Sequence, residues 1–313
     1  MKTPRVSIIT ALHNKESYIA DAIRSVLAQT LPDWELIVVE NSSTDRGPQI
    51  VREFAESRIR LVVSLRPGPG AARNFGLSLA AGEWILFLDA DDLIERNYLE
   101  ERFELLKQHP HADLLVGCWE EFRDDAETRF FRCPTAAGQT TKLLEQSAIA
   151  FAPWALHAAL VRRARLTPDL RWPEELDGHP SEDTAFWFPV IFGASVAWSS
   201  RAGALYRVQT ASSRNEIRDA EKWIRAVTEV IQHNVAFLKA RGGSPNAEQC
   251  ANIVRVFEST YRIALKRGAR EAASVALARG KHWLGKYPPT SLAMAARKIL
   301  GLRLFNLARY GAI

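Results

Sequence analysis

The sequence predicts an α/β fold: a mostly parallel central sheet flanked by helices, followed by an α-helical region. Three observations predict it. Four short apolar runs rich in β-branched residues fall within the first ninety residues. Between them lie segments whose apolar residues recur at helical spacing. Beyond residue 215 only the helical spacing remains. Alternating strands and helices build β-α-β units with right-handed crossovers, hence a parallel sheet.

The elements follow in order. Residues 5–11 (Arg-Val-Ser-Ile-Ile-Thr-Ala) read as the first strand and residues 12–15 as a loop. Residues 16–29 carry Ile19, Ala22, Ile23, Val26 and Leu27, one helical face. Residues 35–40 are the second strand, a helix follows to about residue 56, and residues 59–64 are the third strand. Glycines and prolines forbid regular structure over residues 66–70, after which a helix runs to Ala81. Residues 83–88 are the fourth strand, and a further helix covers 95–108. The rhythm then loosens. Strands are expected at 112–119, 127–133, 157–161, 194–198 and 204–208, a short helix at 141–150, and an irregular loop at 168–180. Ser181 is placed to cap a helix that begins with Glu182 and Asp183. Four helices complete the chain: a long one carrying Ile217, Ile224, Ile231 and Leu238, a second carrying Cys250, Phe257 and Leu265, then 270–284 and 291–310. The expected division is 1–215, with a binding half 1–115 and an acceptor half 116–215, and a basic helical region 216–313.

Composition bounds the class. Hydrophobic content of 47% and charged content of 25% are those of a globular protein. Cys118, Cys133 and Cys250 show no metal or redox spacing, which points to a reducing compartment without disulfides. A strand begins by Val6, and no apolar stretch approaches the roughly 20 residues that span a bilayer, so a cytoplasmic protein is expected. The net charge of +5 conceals an asymmetry: residues 261–313 hold eleven Lys or Arg and one acid, Glu271. Such a basic stretch suits an anionic membrane surface, or is a solvated helical face. Lys298 and Arg303 would point about 140° apart on one helix, so the cations share no single face. Aromatic interleaving is missing, and nucleic acid is not an expected partner.

The chemistry concentrates in Trp84-Ile-Leu-Phe-Leu-Asp89-Ala-Asp91-Asp92. A buried strand ends there in three carboxylates within four positions. In open α/β sheets, ligands bind beyond the carboxyl ends of strands. Crowded carboxylates repel unless a cation sits among them, and hard oxygen ligands suit Mg²⁺ or Mn²⁺. An acidic surface turn is the plainer alternative. Ahead of this strand, Gly68-Pro-Gly70-Ala-Ala-Arg73 offers a helix N-terminus with free N–H groups, and a guanidinium, to a diphosphate.

These motifs resemble the family 2 glycosyltransferases, inverting enzymes of the GT-A fold. The resemblance runs through Val6-Ser-Ile-Ile-Thr-Ala-Leu-His-Asn14, Trp34-Glu-Leu-Ile-Val-Val-Glu-Asn-Ser-Ser-Thr-Asp45, Gly70-Ala-Ala-Arg-Asn74 and Phe87-Leu-Asp-Ala-Asp-Asp92. It ends at Glu182-Asp183 and Tyr206-Arg207, covering about the first 210 residues in family order. It implies that Asp89, Asp91 and Asp92 form the acidic cluster that holds a donor diphosphate through Mn²⁺ or Mg²⁺, Asp91 and Asp92 being the favoured ligands and Asp89 turning towards the ribose or a backbone N–H. It implies nucleoside contacts at Ala11, His13, Asn14, Glu40 and Asn41, with Arg73 near ribose and phosphate. Asp183 is the implied general base, and Glu182 orients it or caps the helix. Trp154, Trp172 and Trp187 are candidate sugar platforms or core residues.

Three departures stand out. Glu40-Asn41 replaces the usual Asp-Asp, His13 the usual Tyr, and Gln209 a frequent His. Asparagine both accepts and donates hydrogen bonds, so uracil, thymine and guanine all stay open, with a UDP-sugar favoured over dTDP- and GDP-sugars. The implied acceptor is a glycan or lipid-linked glycan. Two other readings are weighed: a transferase-like binding module with weakened chemistry, and a sugar nucleotidyltransferase. The latter needs a glycine-rich loop after strand one, and residues 11–15 contain no glycine.

Overall fold

The computed structural model describes residues 3–134, 141–208 and 219–310. Gln209, Ile217 and the expected boundary at residue 215 lie outside them. The chain forms two compact units, the first being Met1–Thr141, Trp154–Gly178 and Gly193–Ser213. The second is Lys142–Pro153, His179–Phe192 and Arg214–Ile313.

The first unit holds the whole sheet. It opens with β1 (Val6–Leu12), α1 (Ile19–Leu27), β2 (Trp34–Glu40), α2 (Gly47–Glu53), β3 (Ile59–Val63), α3 (Pro69–Leu79) and β4 (Trp84–Phe87). β1 and β4 are almost wholly buried, and most of β2 is too, as strands covered on both faces must be. Then come β5 (Leu93–Ile94), α4 (Tyr98–Gln108), β6 (Leu114–Arg123) and β7 (Ala126–Arg132). The order along the sheet is β3-β2-β1-β4 with all pairs parallel, then a strand antiparallel to β4 at Ala159–Arg162. From β1 the chain steps outward through β2 and β3, then returns to the other side of β1 as β4. The strand order therefore reverses between β1 and β4, the position where α/β sheets open a crevice for ligands.

The second unit is helical. Its elements are α5 (Thr141–Ala148, the first residue of which clusters with the sheet), α6 (Glu182–Ile191), α7 (Ala220–Ala240), α8 (Ala247–Lys266), α9 (Arg270–Leu284) and α10 (Leu292–Tyr310). The strand Ala159–Arg162 is β8, and the sheet is completed by β9 (Val196–Arg207). Among the described residues no helix is long and apolar enough to cross a membrane.

Four expectations are corrected. The two strands expected at 194–198 and 204–208 are one, β9, which runs parallel to β6. Its register shifts between Gly117 and Trp119, and the extra residues around Gly203 bulge out there. The break in apolar pattern marked that bulge, not a loop. Second, Cys118 and Cys133 are joined by a disulfide. Trp119 pairs with Arg132 across the β6–β7 hairpin, so the next pair outward sets the two cysteines opposite, with Cα atoms 4.3 Å apart. The cysteine argument for a reducing compartment falls with it. Third, Ser181 does stand before α6, but in the left-handed region (φ 66°) and without a capping hydrogen bond from its side chain. Fourth, α10 is not one straight helix: Gly301 (φ 73°, ψ 155°) breaks it. A wheel angle drawn from Lys298 to Arg303 crosses that break and has no meaning.

Candidate functional site

The site starts where β4 stops. The Leu88 N–H still donates to the Ile9 carbonyl, and the chain then turns, the Asp92 N–H donating to the Asp89 carbonyl. That turn sends the three carboxylates to different places. Asp89 accepts from the Arg73 guanidinium at 2.8 Å. Arg73 itself is buried on α3, its guanidinium lying 4.2 Å over the Trp172 ring. Asp91 pairs with the Lys15 ammonium from the loop after β1. Asp92 faces inward at 1% exposure: Oδ1 accepts the Arg207 backbone N–H at 2.8 Å, and Oδ2 lies 3.2 Å from His157 Nδ1. Arg207 in turn donates to the Asp91 carbonyl, pairs with Asp124 and stacks on Phe122 and Tyr18.

Burial first, then the Asp91 and Asp89 charges, hold the Asp92 carboxyl well above the usual carboxylate range. Burial also pushes His157 down to about 4. The pair therefore favours the neutral acid and the neutral imidazole. The linkage has a definite sign. As pH falls from 6.5 towards 4, the unfolded chain binds the proton that folded His157 refuses, and up to about 3 kcal/mol of stability is lost. Asp92 opposes this, because the folded state binds its proton at higher pH than the unfolded state does. The imidazole shifts isolate His157: in NMR it is expected to stay neutral at pH 5.5 or so. A titration midpoint near 6.5 would contradict its burial.

The rim opposite is built from the loops after β1 and β2. His13 Nδ1 donates to the Asn41 carbonyl at 2.7 Å. Asn14 (φ 50°) accepts from the Thr44 N–H through Oδ1. Glu40 accepts from the Ser43 N–H, and the half-buried Ala11 lies beside them at the end of β1. Asn41 is buried, and both ends of its amide are engaged: Oδ1 accepts the Gly68 N–H and Nδ2 donates to the Arg66 carbonyl, each at 2.8 Å. This accounts for asparagine in place of the family's aspartate, which cannot donate. The same two bonds let Asn41 shape the glycine loop.

The N-terminus of α3 is already capped. Its Gly70 and Ala71 N–H groups donate to the Asp177 carboxylate at 2.6 and 3.0 Å. A Cβ on Gly68 or Gly70 would come within 2.1 or 2.4 Å of that carboxylate, so glycine at both positions keeps the cap in place, and Gly68 also needs its φ of 120°. The expected free anion cradle is thus filled by the protein's own acid. Asn74 continues the brace, bonding the Trp172 backbone in both directions and the Glu174 side chain.

The sequence reading missed Lys15, His157, Glu174 and Asp177, and noted Arg207 only within a motif. Lys15 had a signal, a cation next to His13-Asn14 at the end of a strand. Asp177 and His157 had none, since their partners are over sixty residues away in sequence. The tryptophans are not exposed platforms: Trp154, Trp172 and Trp187 are all buried, and Trp172 serves Arg73. Glu182 and Asp183 belong to the second unit, in the first turn of α6. Glu182 is buried; Asp183 is half-buried and its Oδ1 accepts the Thr184 N–H at 2.9 Å.

Residues 7–161 match the family described as Glycosyl transferase family 2. This stretch is a family 2 glycosyltransferase domain. The glucosyltransferase WfgD of Escherichia coli is 35% identical over 130 residues, 41% of this chain and 51% of its own length. The poly(ribitol-phosphate) β-N-acetylglucosaminyltransferase TarS of Staphylococcus aureus is 35% identical over 118 residues, 36% of this chain and 20% of its own. The chain thus spans about half or less of the length of these curated relatives. A crystal structure of S. aureus TarS in complex with UDP-GlcNAc superposes with TM-score 0.60 at 19% identity, covering 90% of this chain and 93% of that one. The domain has the GT-A-like fold, including the helical region that follows it.

Proposed function

We propose that the protein is an inverting glycosyltransferase. It moves a sugar from a nucleotide diphosphate donor, a UDP-sugar first, to a hydroxyl of a glycan or lipid-linked glycan in bacterial cell-surface polysaccharide synthesis. The observation that carries this is the acid pair Asp89 and Asp91 beyond β4, each already holding a cationic side chain. The family match supports the donor class, and TarS has been crystallised with UDP-GlcNAc. WfgD, by its name, acts on α-D-GlcNAc-diphosphoundecaprenol, which supports a lipid-linked acceptor.

The acidic turn suits a hard divalent cation in its donor chemistry. After burial, the Asp91 and Asp89 charges raise the Asp92 carboxyl, and a cation would relieve that repulsion. Among the described residues no three His, Cys, Asp or Glu side chains form a ready cage. Mg²⁺ sites of this kind use one or two carboxylates and take further ligands from the substrate's phosphates. The expected preference for Asp91 and Asp92 changes: Asp91 and Asp89 are the residues that would hold Mn²⁺ or Mg²⁺, because Asp92 is buried, turned inward onto the Arg207 N–H, and fixes their turn. The bound cation would stabilise the charge developing on the departing diphosphate.

The chain's own groups do the rest. Lys15 and Arg73 add positive charge for the phosphates and ribose. Ala11, His13 and Glu40 line the nucleoside side, with Asn14 and Asn41 holding its loops in place. Asp183 is the base that takes the proton of the attacking hydroxyl, oriented by Glu182. One base suffices, because inversion needs no covalent sugar intermediate. The acceptor is held by residues within 116–215. The protein works in the cytoplasm, where the basic helices of 261–313 meet the anionic inner face of the membrane.

Slow hydrolysis of nucleotide sugars tests this without knowing the acceptor. With Mn²⁺, release of nucleoside diphosphate from at least one UDP-, dTDP- or GDP-sugar is expected, falling on the order of 100-fold in Asp91→Asn. Pyrophosphate-dependent exchange of the nucleotide would instead assign a nucleotidyltransferase.

A further inference from the structure

The outer row of α10 has no use inside the protein. Met294 and Leu302 join a buried cluster with Ala251, Val254 and Leu284, and Arg297, Phe305 and Asn306 are buried beside them. Those contacts settle which side of each arm faces out. On it stand Leu292 (91% exposed), Ile299 (83%), Leu304 (58%) and Leu307 (52%). Arg303 is exposed among them and Lys298 on their flank, where its Nζ donates to the Tyr287 carbonyl; Arg309 lies on the inner row, over the Phe305 and Tyr310 rings, and α10 contains no acid. Aliphatic side chains this open are costly in water.

We infer that α10 is an in-plane anchor whose exposed leucine and isoleucine side chains enter the headgroup–acyl boundary of an anionic bilayer, with Arg303 and the flanking Lys298 on the lipid phosphates. This rests on the membrane reading proposed above and replaces a purely electrostatic approach with insertion. Charge decides the occupant. A second copy packed by two-fold symmetry would set the same cations against each other, whereas an anionic surface neutralises them. The break at Gly301 serves the same end. It turns the second arm so that Arg303 and Leu304 both face out while Leu302 and Phe305 stay in. Mixed aliphatic and basic exposure is the pattern of a helix lying on a membrane.

The test is co-sedimentation of the full chain with vesicles of phosphatidylethanolamine and phosphatidylglycerol, against phosphatidylcholine alone. Binding to the anionic vesicles only is expected. Leu304→Gln with Leu307→Gln should weaken it by about tenfold, and Arg303→Gln by about fivefold. Both variants should melt with the wild type, since the altered side chains are exposed. Binding that ignores the leucine substitutions would overturn insertion and leave only electrostatic attraction. Equal binding to phosphatidylcholine, or none to either, would overturn the inference. So would a dimer in light scattering that the leucine substitutions dissolve. Donor hydrolysis in vesicle-free solution reports on the active site independently, so failure here leaves the transferase reading standing.

Discussion

Asp183→Asn is expected to lower sugar transfer by about 10²–10⁴-fold while leaving nucleotide affinity within about twofold. The first turn of α6 places Asp183 half-exposed, and its Oδ1 accepts the Thr184 N–H. Asparagine keeps that acceptor and the side chain's shape but removes the basic carboxylate. A helix-terminal acid whose role is only to satisfy the α6 N-terminus and its dipole would behave differently. Its loss would lower the melting point by the equivalent of about 1 kcal/mol and leave turnover alone. Initial rates at saturating donor, with a parallel melting curve, separate the two roles. Unchanged turnover would move the base elsewhere.

The second large effect is on stability. Arg297→Met is expected to cost the helical unit about 3–5 kcal/mol. Arg297 on α10 donates to both oxygens of Glu258 on α8, with Nε at 2.9 Å from each and a further contact at 2.8 Å. The pair is almost fully buried, with side chains 6% and 1% exposed. Asn306 adds a bond to Glu258, and Arg262 holds Asn306. Removing the guanidinium strands a buried carboxylate. Removing both charges, as in Glu258→Leu with Arg297→Met, should return most of the loss, because desolvating an ion pair is itself costly. Urea melts of the single and double variants measure this directly. A double variant as unstable as the single would mean that the geometry of the network, rather than the stranded charge, sets the cost.

The sequence carried the parts of the fold that are local. β1, β2 and β4 were legible because strands buried on both faces read as near-continuous apolar runs, and α1 and α7 because their buried faces recur at helical spacing. The acidic turn was legible because it follows such a strand directly. What escaped depends on partners far along the chain. The Cys118–Cys133 bond needs the hairpin register, and the Asp177 cap on α3 joins residues more than a hundred positions apart. Asn41 illustrates the same limit. Its identity was noticed, but its reason, one amide serving both Arg66 and Gly68, needed the folded loop. The kink at Gly301 was hidden because a glycine within a helical pattern is usually tolerated. Yet that kink decides which residues of the second arm of α10 face out.

The crevice beyond β1 and β4 is expected to hold a nucleoside diphosphate. Thermal melting with UDP, GDP, dTDP and CMP, each with and without Mn²⁺, tests it most directly in wild type and Asp91→Asn. At about 100 times its Kd, a bound nucleotide should stabilise the folded state by about 2.7 kcal/mol. The expected result is a shift with at least one diphosphate, larger with Mn²⁺ and largely lost in Asp91→Asn. No shift with any nucleotide, or a shift indifferent to both Mn²⁺ and Asp91, would contradict the site.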